Sequence, residues 1–128
     1  MPMSRFSAPS RDWFVNTFGA PTPVQEGAWR AIADGGHILV VAPTGSGKTL
    51  AAFLHALDSL LQLGYRPRGT RVVYVSPLKA LGVDVERNLR VPLAGIREEA
   101  ERQGSSVSEV TVGVRSGDTP ARDRDRMR

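Results

Sequence analysis

Apolar residues fall along this chain in two rhythms. Ile38-Leu39-Val40-Val41 and Val72-Val73-Tyr74-Val75 are short contiguous runs, the pattern of strands covered on both faces. They predict strands over 37–41 and 71–76. Val110, Val112 and Val114 alternate with polar or small residues and predict a third strand over 109–114, half-buried on one face. Between the first two runs, Leu50, Phe53, Leu54, Leu57, Leu60 and Leu61 recur at helical spacing. They predict an amphipathic helix reaching about residue 63. A further helix is expected over 78–90, broken by Pro92, with another continuing to 103. Ahead of the first strand, Ser10 is placed to cap a helix over 11–18, with Asp12 in its first turn and Gly19 as its stop. Thr22-Pro23 opens a second helix with Val24, Ala28 and Ile32 on one face, and Gly35-Gly36 ends it. Residues 116–119 read as a turn, with Thr119 capping a last helix that begins at Pro120.

The order strand, helix, strand, helix, strand predicts an α/β fold, a parallel sheet with right-handed crossovers and helices on both faces. Two stretches are distinguished: N-terminal helices over 1–36 and an α/β unit over 37–128. At 128 residues the chain is one domain at most.

Composition narrows the function class. Forty-one per cent of residues are hydrophobic, as in ordinary globular chains, and there is no cysteine, so disulfide frameworks and thiolate metal sites are excluded. The first ten residues, MPMSRFSAPS, have no apolar signal region, and no apolar run approaches the roughly 18 residues of a membrane span. The expected location is therefore cytoplasmic, with no membrane partner. Net charge is +4, which permits a polyanion partner without requiring one. Of 17 basic residues only Lys48 and Lys79 are lysines. His37 and His55 have no partner at metal-ligand spacing.

The strongest chemical signal follows the first strand. Ala42-Pro43-Thr44-Gly45-Ser46-Gly47-Lys48-Thr49 lies between a strand and a helix, the arrangement that holds a nucleoside triphosphate. Gly45 and Gly47 let the backbone curl close to phosphate. The amides from Gly45 to Thr49 form an anion nest at a helix N-terminus. Lys48 is placed for the β/γ-phosphates and the Thr49 hydroxyl for Mg²⁺. Ala42 stands where the GxxxxGK[ST] pattern has its first glycine. Leu50 excludes extension to the dinucleotide GxGxxG pattern.

Four collinear stretches carry a family resemblance over nearly the whole chain: PTPVQEGAW at 21–29, APTGSGKTLAAFL at 42–54, SPLKALGVDVERNL at 76–89 and VTVGVRSGDTP at 110–120. They resemble the N-terminal part of superfamily 2 DEAD/DEAH-type ATP-dependent helicases, most closely the large-helicase-related (Lhr) family. The resemblance implies part of a RecA-like P-loop NTPase domain, with ATP and Mg²⁺ as cofactors and DNA or RNA, single-stranded, as partner. It implies that Gln25 reads the adenine edge, which an amide suits by giving and accepting hydrogen bonds. Local sequence offers a second role, since Thr22-Pro-Val-Gln25 is also a capping box. Phe6 is the choice for an aromatic on the adenine, with Trp13 and Phe14 as alternatives. Thr44 and Ser46 complete the nucleotide-binding set. Ser76, Pro77 and Lys79 match the stretch that grips the nucleic-acid backbone; the alternative for Lys79 is a solvated cation at a strand exit. Ser116 and Thr119 are placed to donate to phosphates, or else to form a polar turn. Asp84, Glu86, Arg87 and Asn88 are better read as a solvated helix face.

No acidic pair after an apolar strand follows Thr49 within these residues, so no catalytic residue is assigned. The expectation is a piece of a longer helicase or translocase, with 3′-to-5′ polarity implied by the family, that binds nucleotide poorly and turns none over by itself. Its expected partner is the rest of that chain. Competing readings are another P-loop NTPase (a small kinase or GTPase) and a non-catalytic nucleotide- or nucleic-acid-binding remnant. Neither a guanine-reading NKxD segment nor a kinase lid and acceptor site is apparent.

Overall fold

The structure is a computed structural model describing residues 3–66, 68–76, 79–117 and 119–127, the side chains of 79–83 excepted. Five helices follow in order: α1 (Ala8–Phe18), α2 (Pro23–Ala33), α3 (Lys48–Leu61), α4 (Lys79–Arg102) and α5 (Ala121–Arg126). The closest helix pairings are α2 along α3 and α1 along α4.

Helix α1 starts earlier than its sequence signals suggest. Ser7, not Ser10, is the N-cap residue, and Pro9 sits in the first turn, where a missing N–H costs nothing. Ser10 is then inside the helix and turns its hydroxyl to Asp58 of α3 at 2.7 Å. Gly19 ends the helix at φ 83°, its N–H bonded to the Val15 carbonyl at 2.9 Å; a side chain would be strained at that φ. Helix α2 begins as expected, with Thr22 at the N-cap and Pro23 at the first position. Its buried positions are Gln25, Ala28 and Trp29, so the inner face is rotated from the Val24–Ala28–Ile32 stripe toward the indole.

Pro92 does not divide α4, which runs unbroken from Lys79 to Arg102. A proline inside a helix removes one backbone hydrogen bond and crowds the preceding turn. Here Pro92 is buried, and Leu89 and Ile96 on either side are buried in the core, so packing on both flanks offsets the lost bond. Thr119 does not cap α5 either. Pro120 is the N-cap residue, and the Thr119 hydroxyl accepts from the Ser116 N–H at 2.8 Å.

One apolar cluster joins Met3, Phe6, Trp13, Phe14, Trp29, Leu54, Leu61 and Ile96, and a second joins Phe53, Leu57 and Leu89. The core therefore draws on α1, α2, α3 and α4 together. Aromatic rings give it direction: Phe6 meets Trp29 edge-on at 4.9 Å and Phe14 meets Trp29 edge-on at 5.5 Å. The Trp29 Nε1–H donates to the Leu50 carbonyl at 3.0 Å, which satisfies the buried indole and ties α2 to α3.

The expected sheet is the main difference. Among the described residues, 37–41, 71–76 and 109–114 form neither helix nor strand ladder. The reason lies in what covers them. Leu39 is 88% exposed and Val75 84% exposed; contiguous apolar runs of this kind need neighbours on both faces and edges, and here the cover is partial, with Val40 half-buried and the Tyr74 ring 5.2 Å from that of Phe53. The third segment keeps its period of two. Val110, Val112 and Val114 are half-buried while Thr111 and Gly113 are exposed, and Val110 and Val112 pack on the two clusters.

Gly95 fixes how α1 meets α4. A Cβ there would lie 2.1 Å from Trp13 Nε1 and 2.4 Å from Cδ1. Glycine to alanine at an exposed helix position is normally favourable by about 1 kcal/mol. At Gly95 the sign should reverse, with Gly95→Ala lowering stability by about 1–3 kcal/mol as the indole is displaced. Urea denaturation followed by circular dichroism checks this.

Candidate nucleotide and nucleic-acid site

The loop at 42–47 takes its shape from two glycines and from α2. Gly45 and Gly47 have φ 85° and 83°, and Gly47 is the N-cap residue of α3; other residues adopt this region at a cost. Within the loop, Ser46 N–H donates to the Pro43 carbonyl at 3.3 Å.

The N-terminus of α2 holds the loop from one side. The Thr22 hydroxyl donates to the Ser46 carbonyl at 2.8 Å and accepts from the Gln25 N–H at 3.3 Å. Gln25 Oε1 accepts from the Thr22 N–H at 3.0 Å, completing a capping box. Gln25 Nε2 donates to the Gly47 carbonyl at 3.2 Å. All described peptide bonds are trans, so each carbonyl points opposite to the N–H of the next residue. Drawing the Ser46 carbonyl toward α2 turns the Gly47 amide away from it, and the Gly47 carbonyl, which also accepts from the Ala51 N–H at 3.0 Å as the first bond of α3, leaves the Lys48 amide at the open N-terminus of that helix. A nest of this kind attracts anions, and the positive end of α3 adds to it.

The approach is close enough to require glycine. A Cβ on Gly47 would lie 2.3 Å from Gln25 Nε2. Lys48 extends back over the loop and donates from Nζ to the Ala42 carbonyl at 2.7 Å. Lys48 and Thr49 are exposed, as is Thr44. An ammonium over a nest of amides beside an open hydroxyl is a donor set that fits a triphosphate with its Mg²⁺, the hydroxyl being the metal-side ligand.

The other expected positions are placed differently. Gln25 is only 4% exposed. The capping box is thus formed, and the same amide also reaches the loop. One N–H and one lone pair of that amide are left over. Phe6 is buried between Trp29 and His55, with ring centroids 4.9 Å and 6.2 Å away. Trp13 and Phe14 are buried too. Ser76 stands at the end of the second extended segment; Pro77 and the Lys79 side chain lie outside the described residues. Ser116 and Thr119 close a turn on each other, the Thr119 N–H donating to the Ser116 carbonyl at 3.1 Å. Two shallow concavities lie elsewhere, around Leu61–Arg66 and Ser106–Glu109 and around Arg97, Glu101 and Ser105. The link from Thr22 to Ser46 has no sequence signal of its own, since a capping threonine reads the same whether or not its hydroxyl has a second partner.

Comparison with known proteins decides the family. The DEAD/DEAH box helicase family matches residues 22–123. The chain belongs to that family. It is similar to the Lhr helicase/probable uracil glycosylase of Mycolicibacterium smegmatis, 61% identical over 98% of this chain and 8% of that protein. It is 49% identical to the Lhr helicase/uracil glycosylase of Escherichia coli over 95% of this chain and 8% of that one. The ATP-dependent helicase Lhr-Core of Methanocaldococcus jannaschii is 39% identical over 93% of this chain and 14% of its own length. The structure of Mycobacterium smegmatis helicase Lhr bound to ssDNA and AMP-PNP matches with a TM-score of 0.91 at 61% identity, over 98% of this chain and 16% of that one. This match is consistent with a RecA-like backbone course even where ladder bonds are not formed. The chain spans a small part of the helicases it resembles. No helix among the described residues is long and apolar enough to cross a membrane.

The shared contacts of Thr22 and Gln25 set a test. Thr22→Ala and Gln25→Ala should each cost about 1 kcal/mol of stability, the usual worth of a cap. The double variant should lose less than the sum by at least about 0.5 kcal/mol, because both changes break the same network. A double-mutant cycle by urea denaturation measures it.

Proposed function

We propose that this chain is the ATP-binding part of an Lhr-type helicase or translocase acting on single-stranded nucleic acid. The observation that carries this reading is the clasp of Thr22 and Gln25 on the loop that ends in Lys48 and Thr49. It leaves amides, an ammonium and a hydroxyl on one open side, the donors a nucleoside triphosphate needs. Lys48 would meet the β/γ-phosphates and Thr49 would ligate Mg²⁺, which supplies charge neutralisation between phosphate oxygens when bound. The spare N–H and lone pair of Gln25 would meet the adenine edge once the amide turns outward. Ser76, Pro77 and Lys79 would contact the nucleic-acid backbone, as would Ser116 and Thr119 after their turn opens. A related helicase of the same family is described with ssDNA and AMP-PNP bound, which supports both partners.

Binding and turnover separate here. Hydrolysis in this class needs acids that hold the metal and position the attacking water; the adjacent acids Glu98 and Glu99 lie within helix α4, and no acidic pair follows a strand-like apolar run downstream of Thr49 in these residues. Calorimetric titration of the 128-residue chain with MgATP should show weak binding in preference to MgGTP, with no phosphate release. Lys48→Ala should weaken the binding at least about tenfold, as expected for loss of a charge-assisted contact. Saturable binding indifferent to Lys48→Ala would sink the assignment. Lys48-dependent turnover would overturn the expectation of an inactive chain.

Nucleic-acid contact has its own signature. The affinity of single strands for the chain should fall with salt, and Lys79→Ala should lower the slope of log K against log salt by about 0.7, the single-strand value for one phosphate contact. Fluorescence anisotropy with a labelled oligonucleotide gives the slope; an unchanged slope would remove Lys79 from the interface.

A further inference from the structure

Outside the family's motif stretches, one buried carboxylate joins elements that carry different parts of the proposed site. Asp58 lies on α3, ten residues beyond Lys48, and is 9% exposed. Its Oδ2 accepts from the Ser7 N–H at 3.1 Å, and its Oδ1 accepts from the hydroxyls of Ser7 and of Ser10, the latter at 2.7 Å. Ser7 is the N-cap residue of α1 but makes no side-chain cap bond within its own helix. Asp58 therefore caps α1 from another helix, with its negative charge at the positive end of the α1 dipole.

The rest of α1 belongs with α4. Trp13 fills the slot over Gly95, and Gln103 Nε2, just past the end of α4, donates to Asp12 Oδ2 at 2.7 Å. Between the pair α1–α4 and the pair α2–α3, the large contacts are apolar: Phe14 on Trp29, and Leu89 with Phe53 and Leu57. Apolar burial is non-directional. Asp58 takes three directed hydrogen bonds from α1 and its cap, two from Ser7 and one from Ser10.

We propose that Asp58 is a positioning residue that sets the α1–α4 pair against the α2–α3 pair. The start of α4, beyond residues 76–78, thereby keeps a fixed place relative to the nucleotide loop at the start of α3. The functional half of this statement rests on the ATP and nucleic-acid reading above; the structural half does not. Without Asp58 the aromatic core still holds the pairs together, and the bonds of Ser108 with Leu61 and Gly64, each 2.8 Å, still tie the end of α3 to the chain beyond α4, but the directed link at the start of α1 is lost. Local opening of the α1–α4 pair then becomes easier as a unit.

Hydrogen exchange read by mass spectrometry on the full 128-residue chain, without nucleotide or nucleic acid, tests it. In Asp58→Ala, amides of α1 and of α4 should exchange faster together, by at least about tenfold, while α2 and the first turns of α3 keep their wild-type protection. Ser59→Ala, next to it on α3 and exposed, should leave every helix unchanged. Should Asp58→Ala unfold the chain, Ser10→Ala decides, because it removes one of the three bonds from the α1 side and should give the same pattern at smaller amplitude. Faster exchange in α1 alone, or equal acceleration in all four helices, would overturn the proposal, as would a wild-type chain with no protected amides. Normal exchange in α1 and α4 of Asp58→Ala would likewise overturn the proposal, whereas a wild-type chain with protected α1 and α4 that binds neither MgATP nor an oligonucleotide would count against the functional assignment instead.

Discussion

The Gln25 amide is the contact on which the arrangement of the site depends. Its oxygen closes the capping box of α2 and its nitrogen holds the Gly47 carbonyl. Thr22 does the same for Ser46 through a hydroxyl that accepts within α2 and donates to the loop. A buried amide with an unmet group is costly, so each bond constrains the others. Because trans peptides couple a carbonyl's direction to that of the next N–H, hydrogen bonds made behind the loop determine which way its amides face in front. Helix start and phosphate nest are one network. The requirement for glycine at position 47 comes from the same closeness, since any side chain would collide with the amide that shapes the loop.

Around that network the helices are arranged by size and shape. Trp29 sits where α2, the Met3–Phe6 turn and α1 meet, and its ring nitrogen is bonded into α3. Trp13 needs the missing Cβ of Gly95. Asp58 supplies the directed bonds that apolar contacts cannot. Surface ion pairs such as Arg5–Asp34, at 3.0 Å and well exposed, add little beyond this.

Helix starts and stops were readable because their causes are local. Thr22-Pro23-Val24-Gln25 contains both halves of a capping box, and Gly19 supplies the positive φ that ends α1. The glycine loop was equally readable, since Gly45, Gly47, Lys48 and Thr49 carry their geometry and chemistry in four residues. Three local signals misled where a distant partner competed. Ser10 could cap a helix, but Asp58 offered its hydroxyl a charged acceptor. Pro92 should interrupt a helix, but it is buried between Leu89 and Ile96 and α4 continues through it. Thr119 could cap α5, but the Ser116 N–H claimed its oxygen.

The sequence by itself determined where most helices start and stop, the glycine turns of the loop and the family, because helical period, turn residues and motif spacing are properties of short stretches. Tertiary structure alone decided the partners: Thr22 with Ser46, Gln25 with Gly47, Asp58 with Ser7 and Ser10, Trp13 with Gly95. It also decided that the apolar runs at 38–41 and 72–75 stay unladdered and largely uncovered among the described residues. A strand's conformation is written in its own side chains, but its hydrogen bonds are completed only by a neighbour. A helix closes its own backbone bonds within four residues, which is why the helices are formed here and the sheet is not.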